Sequence, residues 1–521
     1  MRGDRGLLML KKLPVGIQSF PKMIEENYLY IDKTAFIHKL VTEGQLYFLS
    51  RPRRFGKSVL LSTIEALFEG KRELFEGLYI ADRWDFEPRP VIRIDFLGVE
   101  SGDTESLDTD LRQRLQEQAN RYGVTLKEKE ARRQLRELIV ALSSRGKVTV
   151  LIDEYDKPIL DQLHDEERTL INKCFMATFY AMLKSVEHHI GFLFLTGVSK
   201  FTRVSLFSDL KNLDDLTLHP GYAAICGYTD LEMDDCFTPW LEQGLDGLNG
   251  NALRQKIRSW YNGYSWDGKT RVYNPVSILS LLKQQRFSAF WFTTGTPKFL
   301  VKMLRSGAIS VPSLESLTIG ELSLDGFEPE NIDPIALFFQ TGYLTIQETQ
   351  HTELGYSYRM GFPNLEVKRS FLIHLLADFA NNSPGGMSVM AENLGKHLRS
   401  GEIDAFCEGF QSIFAAIPYN IFIQEKEAYY HTVVYLTLSL IGVPLAAEIQ
   451  TNQGRIDAVL KTDSRIYVIE FKLGTAAEAL TQIHNKQYAQ AYRNKSKEVW
   501  LLGIGMDPEK RNIADWSLEN T

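Results

Sequence analysis

The chain has 521 residues, 44% of them hydrophobic and 24% charged, an ordinary globular composition spread over too great a length for one core; about three domains are expected. Its formal net charge of −7 and pI of about 5.9 exclude a global basic footprint, so any nucleic-acid contact must come from local patches. Cys174, Cys226, Cys236 and Cys407 make no zinc spacing, Leu7 to Leu10 is too short an apolar run for a signal peptide, and no stretch is apolar enough to span a membrane, which together point to a reducing, cytoplasmic compartment.

In chain order, residues 11–44 carry Tyr30-Ile-Asp-Lys-Thr34 and a helix-like Ala35 to Leu40. This segment either folds over a nucleotide base or packs as an N-terminal strap. An apolar strand, Leu46 to Leu49, then runs into a basic turn that ends in Gly56-Lys57-Ser58. A helix with apolar periodicity follows through Val59, Leu60, Ile64, Leu67 and Phe68. Strand, turn, Gly-Lys-Ser and helix form the setting of a phosphate-binding loop, where backbone N–H groups and a helix N-terminus meet phosphates. The expected nucleotide contacts are Arg54, Phe55, Gly56, Lys57, Ser58 and Val59, with Lys57 on the β/γ-phosphates and Ser58 on Mg²⁺. One letter departs from G-x-x-x-x-G-K-[ST]: Arg51 stands where the first glycine belongs. A bare Gly-Lys-Ser is common by chance, so the loop needs support from elsewhere.

Pro90 to Phe96 reads as a second strand, followed by a charged helical stretch over about 104–145. Val148-Thr-Val-Leu-Ile152 is the continuous β-branched run of a strand buried on both faces, and it ends in Asp153-Glu154. Ligands bind at the carboxyl ends of such strands. There Asp153 can hold Mg²⁺ and Glu154 can act as general base on a water facing the γ-phosphate. An acidic pair after a strand is also a common helix N-cap; the buried run, about 95 residues after Gly-Lys-Ser, favours the nucleotide site. Gly191 to Gly197 is the next buried strand. At its tip Thr196 or Ser199 can sense the γ-phosphate, with Lys200 or Arg203 adding charge; each alone also reads as a solvated loop.

The stretches Leu13-Pro-Val-Gly-Ile-Gln-Ser-Phe20, Arg51-Pro-Arg-Arg-Phe-Gly-Lys-Ser58, Leu151-Ile-Asp-Glu-Tyr-Asp156 and Gly197-Val-Ser-Lys-Phe201 together resemble the bacterial AAA-ATPase-like family. The likeness continues through Ala223-Ala-Ile-Cys-Gly-Tyr228, Trp260-Tyr-Asn-Gly-Tyr264, Tyr273-Asn-Pro275 and Gly295-Thr-Pro297. The resemblance implies that Arg51 belongs to this family's own loop, that ATP is the nucleotide, and that a PD-(D/E)XK nuclease-like domain follows. It also implies a start near Lys11 or Lys12, with the first ten residues as an extension. Arg51, Arg53 and Arg54 are expected to add positive charge near the phosphates.

Residues 230–300 are helical and rich in aromatics (Trp240, Trp260, Tyr261, Tyr264, Trp266, Trp291, Phe292), which fits a lid region with its own core better than a base-stacking surface. A loop-like junction covers about 301–335; Phe338 to Thr345 and Tyr356 to Met360 look like a hairpin, and a helix is expected over 365–379.

From about 402 the order is helix, three strands (444–451, 455–461, 466–473), helix, strand. Period-2 alternation puts Glu470 and Lys472 on one face of the third strand, and its neighbour can bring Asp457 beside Glu470. Two carboxylates and a lysine suit a Mg²⁺ site that polarises a phosphodiester and activates water. The triplet Glu-x-Lys alone is nearly worthless, being common on exposed hairpin faces. The 13-residue spacing and the flanking helices make the arrangement resemble the PD-(D/E)XK core, with Asp457 and Glu470 as metal ligands and Lys472 as assistant. Glu427 and Glu448 are further acidic candidates; Gln482, Lys486, Tyr488 and Tyr492 can face substrate backbone.

The expected protein is therefore α/β, with a P-loop AAA/ASCE-type parallel sheet at 11–229, a helical lid at 230–310, a connecting mixed region at 311–400 and a restriction-endonuclease-like αβββαβ domain at 401–515. Its expected function is ATP hydrolysis coupled to Mg²⁺-dependent cleavage of nucleic acid, DNA first. The alternative is an ATP-switched module that binds nucleic acid or protein through a non-cutting nuclease-like domain. A homo-oligomer that forms on ATP is also compatible.

Overall fold

The computed structural model describes residues 10–201, 206, 210, 212–291, 311–324, 326, 333–353, 355–417, 426–451, 454–493 and 497–521, leaving out the side chains of 312, 426–431, 447–451 and 454–456. The chain divides into two compact units. One takes in the described residues before 294 together with Glu315–Val367, and the other includes Lys368–Thr521. The connecting region expected at 311–400 is thus shared between them.

The first unit is built on five strands: β1 (Leu46–Ser50), β2 (Val91–Asp95), β3 (Val148–Asp153), β4 (Ile190–Gly197) and the short β5 (Asp214–Asp215), in the order β2-β3-β4-β1-β5. The four longer strands are parallel, and β4 lies between the loop strand β1 and the Asp-Glu strand β3. β1 and β3 are buried along their whole length, as their unbroken apolar runs require of a sheet covered on both faces. The register sets Asp95 beside Asp153 and Leu49 beside Thr196, which brings the strand tips to one edge. The helix Lys57–Phe68 starts directly from the basic turn; Gly56, at φ 89°, supplies the left-handed residue that redirects the chain into it. The charged stretch over 104–145 is two helices, Thr104–Arg121 and Ala131–Leu142, with a loop through Gly123 between them.

Helices Asp230–Leu241, Gly250–Tyr261 and Pro275–Gln284 form a second core in this unit around Phe237, Leu253, Ile257, Tyr261, Ile278 and Phe290. Trp240 and Trp260 pack against it, so these aromatics are structural. Farther along, Asp333 caps a helix, Pro334–Gln340, where a strand was expected to begin. The hairpin itself is β7 (Thr345–Thr352) with β8 (Gly355–Gly361), extended by β6 (Leu317–Gly320). The expected helix is present as Leu365–Phe379.

The second unit contains β9 (Leu445–Thr451), β10 (Gly454–Lys461), β11 (Arg465–Leu473), β12 (Glu498–Asp507) and β13 (Asn512–Asn520), in the order β13-β12-β11-β10-β9. β9 to β11 form an antiparallel meander, β12 joins β11 in parallel after the helix Ala476–Asn485, and helix Lys426–Leu440 precedes β9. This is the expected αβββαβ order, with β13 added as an antiparallel edge. Ile466 and Val468 on one face of β11 pack with Leu480 and Ile483 of the following helix, while Phe471 meets Phe410 of the helix Ile403–Ala415.

Candidate nucleotide and metal sites

A cavity of about 230 Å³ opens over the basic turn. Arg54, Phe55, Gly56, Lys57, Ser58 and Val59 line one side, with Glu154. The N-terminal segment contributes Pro14, Val15, Ile17, Leu29 and Ile31, and Cys226, Tyr228 and Leu279 close the other side. The segment upstream of β1 therefore does lie over the phosphate loop, and the wall it adds is mostly apolar, with Gln18, Tyr30 and Lys33 as its polar members.

Lys57 is 4% exposed. Its Nζ donates to the carbonyls of Arg51 (3.0 Å) and Pro52 (3.3 Å) and lies 3.5 Å from Glu154 Oε1. The turn thus holds its ammonium at the mouth of the cavity, paired with the acid that follows β3. Glu154 itself has φ 52°, a left-handed conformation that costs a non-glycine residue roughly 1 kcal/mol or more. Asp153 is fully buried, and burial pushes its carboxyl up to about 6 against the Ser58 hydroxyl and the Lys57 charge. Its Oδ1 accepts the Glu154 N–H, while Oδ2 is buried with no hydrogen-bond partner.

Several expected groups are placed elsewhere. Arg51 does not add charge at the phosphates. Its guanidinium is fully buried, donates to the carbonyls of Ser50, Thr217 and Tyr222, and stacks 4.0 Å from the Trp266 ring. Arg54 does line the cavity, and its guanidinium donates to the Phe290 carbonyl at 2.6 Å. The Phe55 ring is buried against Tyr264 and Trp266, so only its backbone serves the cavity. Thr196 donates its hydroxyl to the Leu49 carbonyl inside the sheet and does not line the cavity. Ser199 bonds Asp156, and Lys200 pairs with Asp215 at 2.8 Å. Arg203 lies outside the described residues.

The second constellation sits on β10 and β11. Asp457 Oδ2 accepts the Phe471 N–H at 2.9 Å, which fixes it beside Glu470. Glu470 is 2% exposed. Burial, and then the Asp457 charge, push its carboxyl up to about 8. One oxygen accepts from Gln482 Nε2; the other, Oε2, is buried without a partner. Lys472 is exposed, and its Nζ donates to Gln482 Oε1 at 3.0 Å. Gln482 therefore bridges Glu470 and Lys472 from the next helix. Tyr488 and Tyr492 are buried in the core, not turned to a substrate. The side chains of Glu427 and Glu448 lie outside the described residues. Among the described residues no group of three or more His, Cys, Asp or Glu side chains gathers as a metal centre.

The bare Asp153 Oδ2 beside Ser58 and the bare Glu470 Oε2 beside Asp457 fit a divalent cation, because a buried carboxylate oxygen without a donor is costly and hard cations take oxygen ligands. Sequence reasoning gave Asp156 and Glu366 no role. Both are buried acids that organise surrounding backbone; Asp156 stands in the stretch Leu151 to Asp156 that carries the resemblance, and Glu366 has no such signal.

A β4-between strand order with Gly-Lys-Ser at one strand tip and Asp-Glu at another defines a P-loop ATPase-like domain, and the mixed sheet with Asp457, Glu470 and Lys472 a PD-(D/E)XK-like one. Residues 14–207 match the family described as Predicted AAA-ATPase, and residues 425–516 match the PD-(D/E)XK nuclease superfamily. A curated relative, the uncharacterized protein in the vnfD 5′ region of Azotobacter chroococcum mcd 1, is 39% identical over 98% of this chain and 99% of its own length. The chain belongs to this AAA-ATPase-like family with a C-terminal PD-(D/E)XK nuclease-superfamily domain. Among the described residues no helix is long and apolar enough to cross a membrane.

Proposed function

We propose that the protein binds and hydrolyses ATP with Mg²⁺ in its first unit and cleaves phosphodiesters of DNA with Mg²⁺ in its C-terminal domain, the nucleotide state controlling the cut, in the cytoplasm. The observation that carries this reading is the pair of buried, unpartnered carboxylate oxygens, Asp153 Oδ2 and Glu470 Oε2, each set among the polar groups its chemistry needs.

In the first site, Lys57 exchanges the Arg51 and Pro52 carbonyls and Glu154 for the β/γ-phosphates. Glu154, released from that pair, accepts the proton of the attacking water. The apolar wall of Val15, Ile17, Leu29, Ile31 and Leu279 receives the base and excludes water. Ser58 and Asp153 would hold one Mg²⁺, and Asp457 and Glu470 another. Bound there, the ion neutralises charge on phosphate oxygens and acidifies its water. In the second site Lys472, steadied by Gln482, orients the attacking water or stabilises the charge that develops.

One observation favours a second reading, a nucleotide-switched module that binds without cutting: Gln482 engages both Glu470 and Lys472, so both groups are tied to a neighbouring side chain. The test is a Mg²⁺- or Mn²⁺-dependent nicking assay on plasmid, single-stranded DNA and RNA. Plasmid or single-stranded DNA cleavage that disappears in Asp457→Ala supports the nuclease. Absence of cleavage on every substrate with either metal leaves the binding module; cleavage of RNA alone overturns the choice of DNA.

A further inference from the structure

Glu154 has to be aimed, and its own conformation works against that. At φ 52° it occupies a backbone region that L side chains rarely adopt, so its neighbours must hold it there. On its amino side Asp153 is fixed by the sheet. On its carboxyl side the Tyr155 N–H donates to the Thr196 carbonyl, and the buried Tyr155 hydroxyl donates to the Ser199 carbonyl and accepts the Phe201 N–H. The third anchor is Asp156, fully buried.

Asp156 stands at the N-cap position of the short helix Lys157–Leu160, yet its side chain makes no capping bond there. The carboxylate turns instead across to the segment after β4. Its Oδ2 accepts the Ser199 N–H at 2.6 Å, the Ser199 hydroxyl at 2.5 Å and the Val198 N–H at 3.1 Å. The approach is close enough that a Cβ on Gly197 would fall 2.4 Å from Asp156 Oδ1 and 2.6 Å from Tyr155 Cδ1. A side chain at that position would have to displace the Asp156 carboxylate or the Tyr155 ring. The same segment is held from outside by Gln340, whose Oε1 accepts the Lys200 N–H, and by the Lys200–Asp215 pair. The loop that carries Glu154 and the turn that follows β4 are therefore one bonded block, with Asp156 as its central acceptor.

We infer that Asp156 is a positioning residue for ATP hydrolysis: by tying the Asp-Glu loop to Val198 and Ser199 it holds Glu154 where it takes the proton of the attacking water. The inference rests on the ATPase reading given above. In that step the water oxygen bonds to the γ-phosphorus, the bond from that phosphorus to the ADP oxygen breaks, and one water proton passes to Glu154. Asp156 touches none of these atoms and acts through the backbone of residues 154–156.

The test measures Mg²⁺-dependent ATP turnover of the full chain, with affinity for a fluorescent ADP analogue as the binding readout. Four proteins are compared: wild type, Asp156→Asn, Glu154→Gln and the double variant. Asp156→Asn keeps the side chain's shape but places an amide donor among N–H donors. It is expected to lower kcat by roughly 10- to 100-fold, the scale of a displaced catalytic group, while KM and ADP affinity move less than about twofold. In the Glu154→Gln background the same change adds no further loss, because the group it positions is already gone. Unchanged kcat in Asp156→Asn, an equal loss of ADP affinity, or an additive loss in the double variant overturns the inference. Wild-type turnover in Glu154→Gln sinks the general-base assignment itself and is separable from all of these. If Asp156→Asn does not fold, Ser199→Ala decides. It removes only the hydroxyl donor, and a several-fold fall in kcat at unchanged KM supports the inference, whereas wild-type kcat overturns it.

Discussion

Arg51 and Lys57 sit in one basic turn, and their surroundings send them to different tasks. Lys57 faces the cavity, while Arg51 lies inward with three backbone carbonyls and the Trp266 ring as partners. Arg51→Ala is expected to cost about 2–4 kcal/mol in urea unfolding, because it strips donors from buried carbonyls and opens a void. A loss below about 1 kcal/mol would mean that the site collapses freely or that water replaces the guanidinium. The sequence showed a positive charge in the loop but had no way to show its direction, which depends on carbonyls of residues 217 and 222, far along the chain. Glu366 is a similar case. It accepts the Trp291 N–H at 2.7 Å and the Ser277 hydroxyl at 2.7 Å, and burial lifts its carboxyl to about 7. A folded pKa above the unfolded value means the folded state holds the proton more tightly. Its contribution to stability is therefore full below about 4.5 and lost as pH rises through about 7. Glu366→Gln, neutral and of the same shape, should remove that loss. The melting temperature of the wild type should fall relative to the variant between pH 5 and pH 8, and parallel curves would sink the assignment.

At the scale of elements, the strands that carry chemistry were legible because burial on both faces writes itself as an unbroken apolar run in the first sheet and alternation marks the strands of the second. β1, β3 and β4, and the meander β9 to β11, lie within a few residues of their expected limits. What failed were orientations that only packing decides. Tyr488 and Tyr492 have the spacing of a substrate-facing row, but Ile483 and Leu480 draw that stretch into the core. Phe338 to Gln340 read as strand until Asp333 caps them into a helix. Gln482 reaches Glu470 and Lys472 only because the helix Ala476–Asn485 is seated across β11 and β12. A capping box starts that helix: Glu478 N–H donates to Thr475 Oγ1, and Thr475 N–H donates to the Glu478 carboxylate. Thr475→Ala should cost about 1 kcal/mol and speed hydrogen exchange in the helix's first turn, with Thr475→Ser restoring both. Unaltered exchange in the alanine variant would show that packing on β12, not the cap, fixes the helix.

At the scale of the whole molecule, two chemistries are encoded about 400 residues apart, from Lys57 to Asp457. The boundary between Val367 and Lys368 falls inside the helix Leu365–Phe379, whose first turn holds Glu366. The sequence shows no low-complexity stretch between the two sites. If nucleotide state controls the cut, the two sites must be separable in one direction and coupled in the other. Asp457→Ala removes a carboxylate from the C-terminal site and leaves the nucleotide-site residues unchanged, so ATP turnover should stay within about twofold of wild type while cleavage disappears. Lys57→Ala removes the ammonium that meets the phosphates, so turnover should fall at least about 100-fold. In that variant the rate of plasmid nicking should become the same with and without ATP. Nicking that still responds to ATP when Lys57 is gone would refute control through this loop. ATP turnover that collapses in Asp457→Ala would refute the separation of the two sites. Both activities are read in both proteins, and a thermal melt of each variant by circular dichroism separates a general folding defect from loss at one site.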